Sequence, residues 1–165
     1  MKNFAHLTSD ELRTLTDAPA LITILVGGAD GNLDKAELDW AHKLTEIRGY
    51  ASNELLRDYY DVIHLNFDNR VAELHANLPT EQLEREQSIS AQLANINSIM
   101  PKVDATVAFR LYESLVSFSE HIAKSSGGFL RFLSVSQAEE KVMHLPMITP
   151  IAEPANLKAD TEQAE

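Results

Sequence analysis

The sequence predicts an all-α fold: a compact multi-helix bundle of about seven or eight helices with a weak internal duplication. Three observations carry this expectation. Apolar residues recur at three- and four-residue spacing through most of the chain. Segment after segment opens with Ser, Thr or Asp followed three residues later by Glu, as in Thr8–Glu11, Asp34–Glu37 and Ser136–Glu139, the pattern of a capping box. No alternating run is long enough to demand a sheet, and no hairpin turn joins two such runs.

Taken in order, Thr8 is expected to cap a short first helix that the Asp17-Ala18-Pro19 sequence interrupts, since proline is best tolerated in a first turn. A second helix then runs to about Val26 and is apolar nearly all round, which predicts a central, buried position. Asp34 and Glu37 open a helix to about Arg48, with Gly49 as its stop and Trp40, Leu44 and Ile47 on one face. The next helix starts near Ser52–Glu54 and repeats Leu56, Tyr59, Tyr60 and Ile63, with a bend expected between Asn66 and Asn69 and a segment Val71–Leu78 ending at Pro79. Thr80 is expected to cap a long helix to Met100 with Leu83, Ile89, Leu93, Ile96 and Met100 inward. From Pro101 the clearest stripe follows: Val103, Val107, Leu111, Leu115, Phe118 and Ile122. A last helix capped by Ser136 ends near His144. The helical domain is thus expected over residues 1–145, with 146–165 as an acidic tail, disordered because Pro146, Pro150 and Pro154 accompany few large apolar residues.

Composition narrows the class. With 165 residues the chain suits one domain, and 44% apolar with 24% charged residues is ordinary for a soluble globule. The net charge of −11 and the lack of a basic stripe argue against a nucleic-acid partner. Without cysteine there is no disulfide, thiolate metal site or cysteine nucleophile, as suits a reducing cytoplasmic setting. MKNFAHLTSDEL does not read as a signal peptide. The longest apolar stretch, Ala18–Val26, falls short of the roughly 20 residues of a spanning helix.

The chemistry concentrates in Leu25–Leu38, LVGGADGNLDKAEL. Asp30, Asp34 and Glu37, with Asn32, set oxygen donors around Gly31, and hard divalent cations need several such oxygens on a backbone able to curl. Half of a calcium-binding EF-hand loop fits, from Asp30 to Glu37; the other half fails, because Val26 and Gly28 stand where carboxylates belong. A purely structural role competes: Asp30-Gly31 is a common turn pair, and Asp34 and Glu37 serve as helix caps. A looser copy of the unit lies at Ile122–Val142, IAKSSGGFLRFLSVSQAEEKV.

These residues resemble the tellurite-resistance protein B-like (TerB-like) helical domain over about residues 10–145. The likeness rests on the helix-GADGNLDKAEL-helix unit, the second Gly-rich turn with its SxxE cap, and the helical spacing. The resemblance implies a duplicated α-helical bundle with an acidic, metal-linked surface, tied to stress-response or membrane-linked assemblies and to no established catalysis. It maps the acidic motif onto Asp30, Asp34 and Glu37. The second half departs, with Ser126 and Ser136 at the matching positions and Glu139 alone keeping its acid. One asymmetric site, or none, is therefore expected.

Elsewhere the signals are weaker. His6, His42, His64, His75, His121 and His144 are scattered without paired metal spacing, and His42 is of interest because it follows the acidic loop on one helix. Phe129–Leu133, FLRFL, is expected to plug the bundle or to offer a patch for a protein or a peripheral membrane contact. No GxGxxG, Walker, GxSxG or triad pattern appears. The reading is a non-enzymatic binding and stress-response module, with a divalent cation (calcium, magnesium, manganese or zinc) at the acidic turn and a helical face for a protein partner or self-association. The alternatives are a metal-dependent hydrolase using the same carboxylates and a structural bundle that oligomerises.

Overall fold

A computed structural model of the chain describes residues 1–28, 33–51, 54–125 and 137–157. Those residues form eight α-helices and no strand, so the all-α multi-helix bundle predicted above is the fold.

Helix α1 spans Ser9–Gly27. It opens with the expected capping box: the Thr8 hydroxyl accepts from the Glu11 amide and the Glu11 carboxylate accepts from the Thr8 amide. The expected break at Asp17–Pro19 does not occur, and Pro19 lies inside one continuous helix. A proline there withholds the N–H that would bond the carbonyl four residues back, that of Leu15. The Tyr59 hydroxyl donates to that carbonyl at 2.7 Å instead. Residues 18–28 are buried without interruption, and α1 packs against all seven other α-helices. The apolar segment is central, as its all-round hydrophobicity predicts.

Helix α2, Lys35–Ala51, runs through Gly49 rather than stopping there. A side chain at Gly49 would bring its Cβ within 2.8 Å of Asp61 Oδ1 on the next helix, so this glycine allows a close approach instead of ending a helix. The buried face of α2 carries Glu37, Ala41, Leu44 and Thr45. Trp40 and Ile47, expected beside Leu44, are 38% and 41% exposed, because the face meeting α1 and the next helix lies to one side of them.

Helix α3, Glu54–His64, buries Leu56, Tyr59, Tyr60 and Ile63 as expected. After a bend at Asn66, α4 runs Phe67–Asn77 and buries Phe67 and Val71. Arg70 of α4 grips Asp17 of α1 with two bonds of 2.6 Å, a bidentate pair that ties the fourth helix to the first.

The expected single helix from Thr80 to Met100 divides. Glu81, not Thr80, is the cap, its carboxylate accepting from the Glu84 amide at 2.8 Å. Helix α5, Gln82–Ala94, gives way at Asn95 to the one-turn α6, Ile96–Ile99, and then to a 3-10 turn, Met100–Lys102. Ile89, Leu93, Ile96 and Met100 face the core, whereas Leu83 is 59% exposed. Helix α7, Ala105–Ser125, begins after Pro101 because Asp104 Oδ1 accepts from the amides of Thr106 and Val107. Its stripe of Val107, Leu111, Leu115, Phe118 and Ile122 is buried as expected.

Helix α8, Gln137–Val142, packs on α1. The cap expected at Ser136 and the hydrophobic run Phe129–Leu133 lie outside the described residues. The packed chain continues past the expected boundary at 145: Leu145 and Ile148 are buried in the common core. Residues 146–157 therefore do not match the disordered tail read from their prolines, and residues 158–165 lie outside the described set.

Candidate functional site

The turn between α1 and α2 is built from its two ends. Gly27 closes α1 where a Cβ would stand 2.8 Å from Leu33 Cδ1, 3.6 Å from Glu37 Oε2 and 3.7 Å from Ile122 Cγ2. Glycine thus lets the start of α2 and the end of α7 close on the last turn of α1. Asp34 and Glu37 form the capping box predicted for them. Asp34 Oδ1 accepts from the Glu37 amide and Glu37 Oε2 accepts from the Asp34 amide, both at 2.9 Å.

Two of the three residues expected to hold a metal are therefore adjacent and share one end of α2; Asp30 lies outside the described residues. The cap bonds named here engage one oxygen of each carboxylate, and a carboxylate offers about four lone-pair sites. Capping and cation binding are compatible on that donor set. Glu37 is 5% exposed, and among the described residues no other charged side chain is buried. No group of three or more His, Asp or Glu stands ready for a metal among the described residues, a set that omits Asp30.

His42 bonds a residue outside this donor set. Its ring pairs with Asp68 of α4 at 3.0 Å and lies 5.9 Å from the Phe67 ring. His6 bonds the Lys102 carbonyl, His121 bonds the Ser117 carbonyl, and His144 lies 3.6 Å from Glu120.

A second polar centre has no signature in the sequence. Arg48, in the last turn of α2, donates from Nη1 to the Ser114 carbonyl and to Ser114 Oγ at 2.7 Å, and from Nη2 to Ser117 Oγ at 3.2 Å. Its guanidinium stands 5.8 Å from the Tyr60 ring centre and 5.6 Å from that of Phe118. The Tyr60 hydroxyl and Ser114 Oγ share a 2.7 Å bond. Burial pushes the Tyr60 phenol above its ordinary pKa, with Arg48 opposing the shift. Ser114 and Ser117 lie 66 and 69 residues beyond Arg48, so spacing rules along one helix do not reach them.

Beside this centre, Trp40, Ile47 and Tyr50 give α2 an exposed apolar ridge at spacings of seven and three, with Tyr50 77% exposed. The Trp40 indole donates to the His121 carbonyl of α7 at 3.4 Å, which anchors one end of the ridge. Two grooves lie elsewhere. One of about 210 Å³ includes Ile24, Arg85 and Lys141, and one of about 270 Å³ includes Asp17, Val62 and Arg70. Neither is lined by Asp34 or Glu37.

No significant match joins this chain to a protein-family model, a curated protein or a solved structure. Its function is therefore argued from its own residues. Among the described residues no helix is long and apolar enough to cross a membrane.

Proposed function

We propose that the chain is a non-enzymatic binding module of the TerB-like kind, which takes a divalent cation at Asp30, Asp34 and Glu37 and presents the outer face of α2 to a protein partner. The observation that carries this reading is the buried Glu37 carboxylate at the junction of α1, α2 and α7. Hard divalent cations take several oxygen donors held close together, and a carboxylate fixed by packing is such a donor. Asp34 stands next to it on the same helix end. A cation there would stiffen the turn that sets α2 against α1, and the ridge of Trp40, Ile47 and Tyr50 on α2 would be held with it. A stress-response role rests on the resemblance alone.

The test is calorimetric titration of the metal-free protein with calcium, magnesium, manganese and zinc, alongside Asp30→Asn and Glu37→Gln. Amide side chains preserve capping ability, so these variants separate the two roles of the carboxylates. Saturable binding, lost in both variants, supports the reading. Binding that survives both places the cation elsewhere, and no binding in any chain leaves Asp34 and Glu37 as caps only.

A further inference from the structure

The chain beyond α8 is held by a buried turn and by side-chain bonds to its backbone. Leu145 has φ 48, and among the described residues it is the only non-glycine residue with positive φ. Its side chain is fully buried all the same. A turn closed by the Ile148 amide on the Leu145 carbonyl at 2.9 Å, with Pro146 in its second place, sends Leu145 and Ile148 together into the core. Between and beyond them the contact is to backbone. Asn97 of α6 donates from Nδ2 to the Met147 carbonyl at 2.9 Å, and its Oδ1 accepts from the Thr149 amide at 2.8 Å. Further on, Asn156 Nδ2 donates to Thr106 Oγ1 at the start of α7, at 3.2 Å.

One side-chain amide gripping two main-chain groups, interleaved with two apolar anchors three residues apart, is how a protein holds a bound peptide. Main-chain bonds supply affinity and sockets supply selectivity. Pro150 and Pro154 restrict the segment in advance, which lowers the ordering cost of docking it. The left-handed Leu145 works the other way, since strain at the point where the segment leaves α8 is relieved on release.

We propose that α6 and the start of α7 form a peptide-binding groove that residues 145–157 occupy in cis, and that the trans occupant is the same segment of a second copy of this chain. The second copy follows from the match itself, since the sequence that fits the Asn97 clamp and the two sockets is the chain's own. A tethered segment has a local concentration on the order of millimolar, so exchange shows itself when the cis segment is dislodged. The groove is independent of the α1–α2 turn, and neither reading depends on the other.

A labelled peptide spanning residues 143–157, titrated against the full-length protein, Ile148→Asp, and Ile148→Asp with Asn97→Ala, tests this. The Ile148→Asp chain is expected to bind the peptide about tenfold or more tightly than wild type, because its groove is vacated. Adding Asn97→Ala removes that gain. A helical Ile148→Asp chain that binds no better than wild type overturns the proposal, and so does a gain that survives Asn97→Ala. If Ile148→Asp loses its helical circular dichroism, hydrogen exchange of the wild type decides. A Thr149 amide that exchanges about tenfold or more faster than that of Leu115 supports a separable segment, and matched rates overturn it.

Discussion

The Tyr59 hydroxyl donates to the Leu15 carbonyl at 2.7 Å, supplying the hydrogen bond that Pro19 is chemically unable to give. Helix α1 crosses its proline because a tyrosine on α3 completes its ladder. Removing that hydroxyl in Tyr59→Phe leaves a buried acceptor unpaired and is expected to cost about 1–3 kcal/mol. In a Pro19→Ala background the alanine N–H serves Leu15, so the same Phe substitution should cost distinctly less. Urea denaturation of the four chains measures the coupling; strictly additive costs would show that the hydroxyl and the proline act separately.

Asp34 accepts from the Glu37 amide as the cap of α2. Asp34→Ala should therefore destabilise the metal-free protein by about 1 kcal/mol, and Asp34→Asn by only a few tenths. Thermal denaturation without added metal separates the two variants. Equal losses would mean that the charge of Asp34 matters beyond its cap bond.

Glu11 receives a hydrogen bond from Lys102 and further ones from the amide and hydroxyl of Thr8, which together bring its pKa from 4.5 down to about 2. A carboxyl depressed by folding contributes stability in full above its unfolded value, and that contribution disappears as the pH falls toward its folded value. The Glu11 share should accordingly be intact above pH 4.5 and lost on the way to pH 2. Glu11→Gln keeps the capping box and should decline less steeply over that interval. Parallel acid-limb curves for the two proteins would contradict the assignment.

Arg48 joins α2 to α7 through Ser114 and Ser117, using both terminal nitrogens of its guanidinium. Lysine has neither that fork nor a plane to set beside the rings of Tyr60 and Phe118. Arg48→Lys is thus expected to cost about 1.5–3 kcal/mol despite keeping the charge. A midpoint in denaturant within error of wild type would reduce Arg48 to a surface residue.

What the sequence determined by itself is whatever local physics governs. Capping acts across three residues, so Thr8–Glu11 and Asp34–Glu37 were legible as helix starts. The stripes of α3 and α7 were legible because a helix that buries one face must repeat its apolar residues at 3.6. The candidate site was visible to the same extent, as two acids at a helix start. That Glu37 is buried, and that the last turn of α1 meets both its carboxylate and Ile122 of α7, depends on how the helices pack, which neither unit of the sequence states.

Tertiary structure alone decided the points where a distant residue supplies what the local sequence lacks. Pro19 reads as a break until Tyr59 is in place, 44 residues away. Gly49 reads as a stop until Asp61 of α3 lies against it. Trp40 and Ile47 share a face with Leu44 by spacing, but which side of α2 is covered is set by the helices it meets. The prolines after Leu145 read as a loose tail until Asn97, some 50 residues earlier, takes hold of the backbone. In each case a hydrogen bond or a close approach across the fold outweighs a local preference of a few kcal/mol at most. Such a partner is set by topology, which periodicity along one chain does not encode.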